Sequence, residues 1–302
     1  MEWVIQADQL EKSYGHHKVV DNISFSVRQG EIFGIAGPNG AGKTTTLNLM
    51  TGLLKPDKGT LSILGLNPQS QGSVLRRRLG IQLQQAELPE NMRVQEALDL
   101  FGSLYERPAN AAKLLDEWGL TSKAKREFRK LSGGERQRLF IALALINDPE
   151  IVFLDELTTG LDPKARRQTW DLVRQIRDRG KTVVQVTHSM DEAEQLCDRV
   201  GIIHQGKLVA LDSPRALIQS QPNSHAIRFQ HSANLNLEAF SAIAEVNQVV
   251  REGDEVVIHG QGSLLLRVAA ELAKQNIDPE GFRSEHANLE DVFLHLTQSD
   301  KA

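Results

Sequence analysis

The sequence predicts an α/β fold in which a helical segment is inserted into a mostly parallel sheet, with a smaller α+β unit after it. Short Val/Ile/Leu-rich runs alternate with helical stretches over the first two thirds of the chain, as is typical of buried parallel strands joined by helices. From about residue 226 onward, shorter strands and helices alternate in a different order. With 302 residues, two domains are expected.

The chain starts with a strand, a turn and a second strand, followed by a glycine-rich loop and a helix. Glu31–Gly37 is a short apolar run ending in glycine, which predicts a buried strand. Gly42–Leu54 contains good helix formers and stops before Pro56. A predominantly helical pattern then fills residues 86–147, which we predict to be an insertion into the sheet domain.

Three further apolar runs predict the remaining strands of the sheet. They are Ile151–Glu156, Thr182–His188 and Arg199–Leu211, and helical stretches separate them. This alternation requires helices on both faces of a mostly parallel sheet.

The polar, proline-containing stretch 219–225 predicts a linker between two domains. Beyond it the elements read β-α-β-β-α-β with a final helix from Leu289, which is the order of a ferredoxin-like unit. We therefore expect a first domain over 1–218 and an accessory domain over 226–302.

Composition excludes several classes of protein. The 40% hydrophobic and 25% charged content is that of a globular chain, and the single cysteine, Cys197, excludes a disulfide framework. We find no signal peptide and no run of about 18 apolar residues, so a soluble cytoplasmic protein is expected. The net charge of −4 argues against nucleic acid as a partner, and no aromatic residues interleave the basic clusters at 76–78 and 123–130.

The most specific motif is a G-x-x-x-x-G-K-[ST] loop between a predicted strand and helix. Its glycines allow backbone N–H groups to face phosphate oxygens at a helix N-terminus. Lys43 can reach the β- and γ-phosphates, and the Thr44 hydroxyl can ligate Mg²⁺. The expected ATP-binding residues of this loop are Gly37, Pro38, Asn39, Gly40, Ala41, Gly42, Lys43, Thr44 and Thr45.

Two further segments carry chemistry of the same kind. Asp155 follows four apolar residues, so its carboxylate lies where a buried strand ends and can help to hold Mg²⁺. Ser132, Gly133 and Gly134 open an apolar helix and form a second phosphate-binding device. The alternative for this second segment is a simple serine cap.

The ordered set of these motifs, with Gly160-Leu-Asp-Pro and His188 after them, resembles the nucleotide-binding subunit of ATP-binding-cassette transporters over residues 1–218. The resemblance implies a P-loop NTPase cassette, with ATP and Mg²⁺ as ligands. It implies that Glu156 polarises the attacking water and that His188 contacts the γ-phosphate. It also places Asp162 among the nucleotide-binding residues.

Two assignments follow from the resemblance with alternatives. Tyr14 matches the aromatic residue that stacks on adenine, although a half-buried tyrosine of an edge strand is the other interpretation. Gln84 matches the glutamine that senses Mg²⁺, and Gln82 and Gln85 compete for this assignment. Two positions depart from the family pattern: Glu135 replaces the usual glutamine, and Leu157 replaces the usual proline.

The resemblance implies an ATPase that works as a head-to-tail dimer, in which the Ser132 segment of one copy caps ATP bound to the other. A separate integral-membrane permease would be its partner, and it would hold the cassette at the inner face of the cell membrane. The ending Asn288–Thr297 is similar to that of drug-exporter subunits, which favours export. The alternative is a soluble ABC ATPase of translation, repair or assembly.

Overall fold

The computed structural model describes residues 2–83, 87–221, 223–231 and 235–298. The chain divides into two compact units, Met1–Asp212 and Ser213–Ala302. None of the helices within the described residues has the length and apolar character needed to cross a bilayer.

The first unit contains two sheets and seven α-helices in its described residues. Its elements in chain order are β1 (Trp3–Tyr14), β2 (His17–Arg28), β3 (Ile32–Ala36), α1 (Lys43–Met50), β4 (Lys58–Ile63), α2 (Gly72–Arg76), β5 (Leu79–Gln82), α3 (Val94–Gly102), α4 (Ala111–Glu117), α5 (Gly133–Ala144), β6 (Ile151–Asp155), α6 (Pro163–Asp178), β7 (Thr182–Thr187), α7 (Met190–Leu196), β8 (Arg199–His204) and β9 (Lys207–Asp212).

The larger sheet has the strand order β5-β6-β7-β3-β8-β9, and only the β8–β9 pair is antiparallel. Every residue of β3, β6 and β7 is buried, as expected for central strands covered on both faces. The carboxyl ends of β3, β6 and β7 therefore meet at one edge, where the P-loop, Asp155 and His188 follow their strands.

A second, antiparallel sheet of three strands has the order β2-β1-β4. Its inward-facing residues, including Ile5, Leu10 and Ile23, form one apolar core with Leu47 of α1 and Phe153 of β6. This core fixes α1 beneath the sheet edge that carries the candidate site.

The inserted helical segment lies between β5 and β6, with α3, α4 and α5 as its α-helices. Val94 and Leu98 of α3 are fully buried, and α3 contacts α5. Phe101 is half-buried, and Leu104 lies just outside α3 and is exposed. The buried face of α3 therefore ends before Leu104.

Two predicted elements differ from the structure. The helix expected over Gly42–Leu54 ends at Met50, because Gly52 takes a left-handed φ of 74° that a helix cannot contain. The single strand expected over Arg199–Leu211 is a hairpin of β8 and β9, since Gln205 and Gly206 both have positive φ.

The second unit packs around its own apolar core, which includes Phe229, Phe240, Ile258 and Val268. Its four-stranded antiparallel sheet has the order β11-β12-β10-β13. The elements are α8 (Pro214–Gln219), β10 (His225–Gln230), α9 (Leu237–Ser241), β11 (Val246–Glu252), β12 (Glu255–Gly260), α10 (Leu264–Lys274), β13 (Arg283–His286) and α11 (Leu289–Gln298).

The division between the units lies before the linker that the sequence suggested at 219–225. Helix α8 contacts α11 and so belongs to the second unit, although the sequence boundary placed it in the first. His225, the last residue of the expected linker, is already paired with Gly260 in the sheet.

Candidate functional site

The P-loop connects the buried end of β3 at Ala36 to the first turn of α1 at Lys43. Gly42 takes a left-handed φ of 102°, and a Cβ there would clash with the carbonyl oxygen of Val19. A Cβ on Gly37 would likewise clash with the carbonyl oxygen of Ile203. The loop therefore passes so close to β2 and β8 that glycine is required at both ends.

Lys43 lies at the bottom of this loop and is only 5% exposed. Its Nζ donates a hydrogen bond to the Pro38 carbonyl at 3.0 Å. Burial lowers the pKa of Lys43, while the negative charges of Glu156 and Asp155 act in the opposite direction. The ammonium group is thus directed into the curve of the loop, beside two carboxylates.

An open pocket of about 340 Å³ lies against the loop. It brings the loop together with Glu156, which follows β6, and with Val19 from β2. Its lining residues are Val19, Asn39, Gly40, Gly42, Lys43, Thr44, Thr45 and Glu156. The described candidates that do not line this pocket are Tyr14, Gly37, Pro38, Ala41, Ser132, Gly133, Gly134, Asp155, Asp162 and His188.

Asp155 ends β6 and is 1% exposed. Burial, and secondarily the charge of Glu156, raises the pKa of Asp155 to about 6, while Lys43 acts to lower it. Within the part of the chain that the structure describes, no group donates a hydrogen bond to its buried Oδ1. A buried acceptor left in this way beside a phosphate-binding loop fits a site for a cation.

Glu156 and His188 come together at the carboxyl ends of β6 and β7. His188 Nδ1 lies 3.3 Å from Glu156 Oε1, and the Thr159 hydroxyl lies 3.4 Å from Glu156 Oε2. Glu156 has a φ of 48°, and its backbone N–H donates to the Val186 carbonyl at 2.9 Å. The turn after β6 therefore directs this carboxylate into the pocket rather than along the strand.

Gln82 connects the ends of β5 and β6, a structural role that the sequence did not suggest. It is 6% exposed, its Oε1 accepts a hydrogen bond from the Asp155 N–H at 3.2 Å, and its Nε2 donates to the Leu83 carbonyl at 2.8 Å. The side chain therefore joins the end of β6 to the point at which the chain leaves β5. Gln84 and its competitor Gln85 lie outside the described residues.

The Ser132 segment forms a capping box at the start of α5. The Ser132 hydroxyl accepts from the Glu135 N–H at 3.3 Å, and Glu135 Oε2 accepts from the Ser132 N–H at 2.9 Å. Glu135 also lies 3.0 Å from Lys123 Nζ. The Ser132 N–H bond is the largest cause of its lowered pKa. Glu135, where the family usually has glutamine, therefore helps to fix the start of α5.

Asp162 is the N-cap of α6, and its Oδ1 accepts from the backbone N–H groups of Lys164 and Ala165, both at 2.9 Å. Leu157, in place of the family's proline, is 1% exposed and packs in the interior. Tyr14 is 51% exposed and pairs with His17 at the tip of the β1–β2 hairpin.

The residues present fit Mg²⁺ only when part of the coordination comes from elsewhere. Among the described residues, no cluster of three or more His, Cys, Asp or Glu side chains is placed to hold a metal ion. Mg²⁺ usually takes one or two protein ligands and completes its shell with waters and substrate phosphates. The orphaned Asp155 oxygen and the Thr44 hydroxyl in the pocket lining match that pattern.

Comparison with known proteins gives consistent relationships. The ABC transporter family model matches residues 20–159. The chain is 40% identical over 296 residues to the Nod factor export ATP-binding protein I of Burkholderia orbicola, which covers 95% of each chain. It is 35% identical over 307 residues to the daunorubicin/doxorubicin resistance ATP-binding protein DrrA of Streptomyces peucetius, which covers 97% of this chain and 92% of that one.

Solved structures agree with these sequence relationships. A dimeric ATP-binding cassette in a post-hydrolysis state, bound to ADP and Pi, is 28% identical with a TM-score of 0.63 and covers 69% of this chain and 98% of its own. An ATP-binding subunit of an ABC transporter is 27% identical with a TM-score of 0.64 and covers 71% and 91%. The expected P-loop α/β fold is confirmed.

Proposed function

Because the chain belongs to the ATP-binding-cassette transporter family, we propose that it is the ATP-hydrolysing subunit of an exporter whose membrane-spanning part is a separate protein. The relatives compared above carry the names of a Nod factor export protein and a drug-resistance protein. Those names favour an exporter over the soluble non-transport ATPase that the sequence left open.

One observation carries the assignment of the site: Glu156 lines one pocket together with the P-loop, and it lies against His188 and directly after the buried Asp155. In this proposal the loop N–H groups and the Lys43 ammonium bind the β- and γ-phosphates of ATP. Glu156 orients the attacking water and accepts its proton, and His188 contacts the γ-phosphate.

Thr44 and Asp155 would hold Mg²⁺, and Gln84 would complete this site. When bound, Mg²⁺ neutralises charge that develops on the phosphate oxygens. The pKa of Asp155 is raised mainly because burial penalises its negative charge, and the charge of Lys43 does not fully offset this effect. A divalent cation beside it would stabilise the ionised carboxylate and lower its pKa again.

Two copies would bind ATP between them, with Ser132, Gly133 and Gly134 of one copy facing the nucleotide on the P-loop of the other. The backbone N–H groups and the dipole at the N-terminus of α5 favour a phosphate beside Ser132. Tyr14 and Asp162 would also contribute to nucleotide binding, Tyr14 by stacking on the adenine.

The permease would dock beside β5, and this contact would hold the cassette at the cytoplasmic face of the membrane. A pocket of about 290 Å³ lies there, with apolar lining from Leu83, Leu88, Phe101 and Phe140. Apolar pockets of this kind accept a short helix of a partner. Met92, an apolar residue in the same loop as Leu88, does not line the pocket.

The test of this function is Glu156→Gln in the purified full chain. The amide is nearly isosteric but a far weaker base, so we expect ATP binding to persist and kcat to fall by about 100-fold or more. ATP-bound dimers should then accumulate, which size-exclusion chromatography with Mg-ATP would detect.

Lys43→Ala is the matched control for the same site, because it removes the phosphate charge partner rather than the base. It should abolish ATP binding and yield no ATP-dependent dimer. Normal turnover by either variant would contradict the assignment of the site.

A further inference from the structure

A buried carboxylate outside the nucleotide pocket connects the turn that carries Glu156 with helices α6 and α7. Glu192 of α7 is 1% exposed. Its Oε1 accepts hydrogen bonds from the Thr158 hydroxyl at 2.8 Å and from the Trp170 indole N–H at 3.2 Å. Its own backbone N–H donates to the Ser189 hydroxyl at 3.2 Å.

Each of these partners lies on a segment that begins at, or directly after, a candidate site residue. Thr158 follows Glu156 and Leu157, in the turn after β6. Trp170 lies on α6, the helix that Asp162 caps. Ser189 directly follows His188 and caps α7. One carboxylate oxygen therefore binds the turn of Glu156 to the helix that follows it, while α7 sets the position of His188.

The turn that carries Glu156 needs such support. Its φ of 48° is unfavourable for a residue with a long side chain and persists only where neighbouring contacts fix it. The Glu156 N–H bond to Val186 fixes the turn on one side, and the Thr158 bond to Glu192 fixes it on the other.

Packing alone does not require a carboxylate at position 192. Among the described residues, no Lys, Arg or His forms an ion pair with it, and both of its side-chain donors are neutral. A buried carboxylate without a cation is costly, and an apolar side chain would fill the same space at lower cost. What the carboxylate provides is a strong acceptor shared by two elements.

We propose that Glu192 is a positioning residue for ATP hydrolysis. Through Thr158 and Trp170 it fixes the turn that carries Glu156. The Glu156 carboxylate is thereby kept beside His188, where it can accept a proton from the attacking water. This inference rests on the proposed function, because it requires Glu156 to be the base. Glu192 itself does not line the nucleotide pocket.

The experiment compares single variants of the full chain by steady-state ATPase kinetics. Thr158→Val removes only the hydroxyl and should lower kcat about tenfold, since small displacements of a reacting group are costly. KM for ATP should stay within about twofold, because the P-loop is untouched. Thr158→Ser restores the donor and should restore kcat.

At Glu192 itself, Gln keeps one acceptor oxygen and Leu keeps none, so kcat should fall in the order Glu, Gln, Leu. Asp191→Asn, at the exposed neighbouring position of the same helix, is the control and should leave kcat unchanged. Circular dichroism melting curves identify any variant that fails to fold, and Thr158→Val remains informative if Glu192→Leu does so.

The two possible failures are distinguishable in the same assay. If Glu156→Gln is inactive while Thr158→Val and Glu192→Gln turn over like the unmodified protein, the positioning role is wrong and the proposed function stands. If Glu156→Gln is itself active, the base has been misassigned. A rise in KM at unchanged kcat would place Glu192 in nucleotide binding and would also overturn the inference.

Discussion

At the scale of single residues, Asp155 shows how the demands of burial and of cation binding oppose each other. Its ordinary pKa is 3.8, and burial raises the pKa to about 6 in the folded chain. The folded state therefore holds this proton more tightly than the unfolded chain does. Its contribution to stability is present below pH 3.8 and is lost as the pH rises through about 6.

Asp155→Asn should accordingly stabilise the metal-free protein at pH 8, because it removes the ionisation that burial penalises. The expected gain in the free energy of unfolding is up to about 3 kcal/mol, from about two pH units at 1.36 kcal/mol each. Urea unfolding in EDTA at pH 8 and at pH 5 measures it, and the gain should shrink at the lower pH.

The same variant should lose the stabilisation that Mg-ATP gives to the folded chain, since the carboxylate is the proposed metal ligand. A variant that is less stable than the parent at pH 8 in EDTA would show that Asp155 is satisfied in the free protein. The measured pH dependence would then contradict the raised pKa.

The sequence identified Asp155 because a carboxylate after an apolar strand is visible as a local pattern. Glu192 and the structural contact of Gln82 were not predicted, because their partners are distant along the chain. Gln82 bonds to the backbone N–H of Asp155 across the sheet, and Glu192 reaches Trp170 across two helices. No local spacing indicates such contacts.

At the scale of elements, helix caps occupy several of the positions that the family resemblance gives to nucleotide binding. Ser132 caps α5, Asp162 caps α6, and Ser189 beside His188 caps α7. A cap fixes the place where a chain turns into a helix, so it also fixes the side chains of that turn. Structural and functional demands therefore coincide at these residues.

Asp162→Ala should lower the free energy of unfolding by about 1 kcal/mol, the usual cost of losing an N-cap. Two backbone N–H groups, those of Lys164 and Ala165, would lose their acceptor. Asp162→Ser keeps a capping oxygen and serves as the control. Thermal melting of both variants is the measurement. If Asp162→Ala melts at the same temperature as Asp162→Ser, the carboxylate does not cap the helix in solution.

Strands were predicted more closely than their connections. The sequence located β6 and β7 to within one residue because central strands are continuous apolar runs. It joined β8 and β9 into one strand because Gln205 in the turn is not a residue that signals positive φ, even though Gly206 follows it. The helix expected to reach Leu54 ends earlier because Gly52, a residue type that does signal positive φ, was included in it.

At the scale of the whole molecule, the two units have separate apolar cores. The core around Leu10, Leu47 and Phe153 lies entirely within residues 1–212, and the core around Phe229 and Ile258 lies entirely in the second unit. The sequence placed the boundary at 218, because Gln219 begins a polar, proline-containing stretch. It could not show that α8, before that stretch, packs on α11.

This boundary leads to a test of the second unit's role. A chain ending at Asp212 keeps the first core and every described residue of the candidate site, so it should fold and bind ATP with affinity close to that of the full chain. A chain ending at Ser220 adds α8 without its partner α11 and should be the less soluble of the two. Circular dichroism measures whether each truncated chain is folded, and ATP titration measures its affinity for ATP. If the shorter chain is folded but does not bind ATP, the second unit completes the nucleotide site, and the separation of the two cores is not a separation of function.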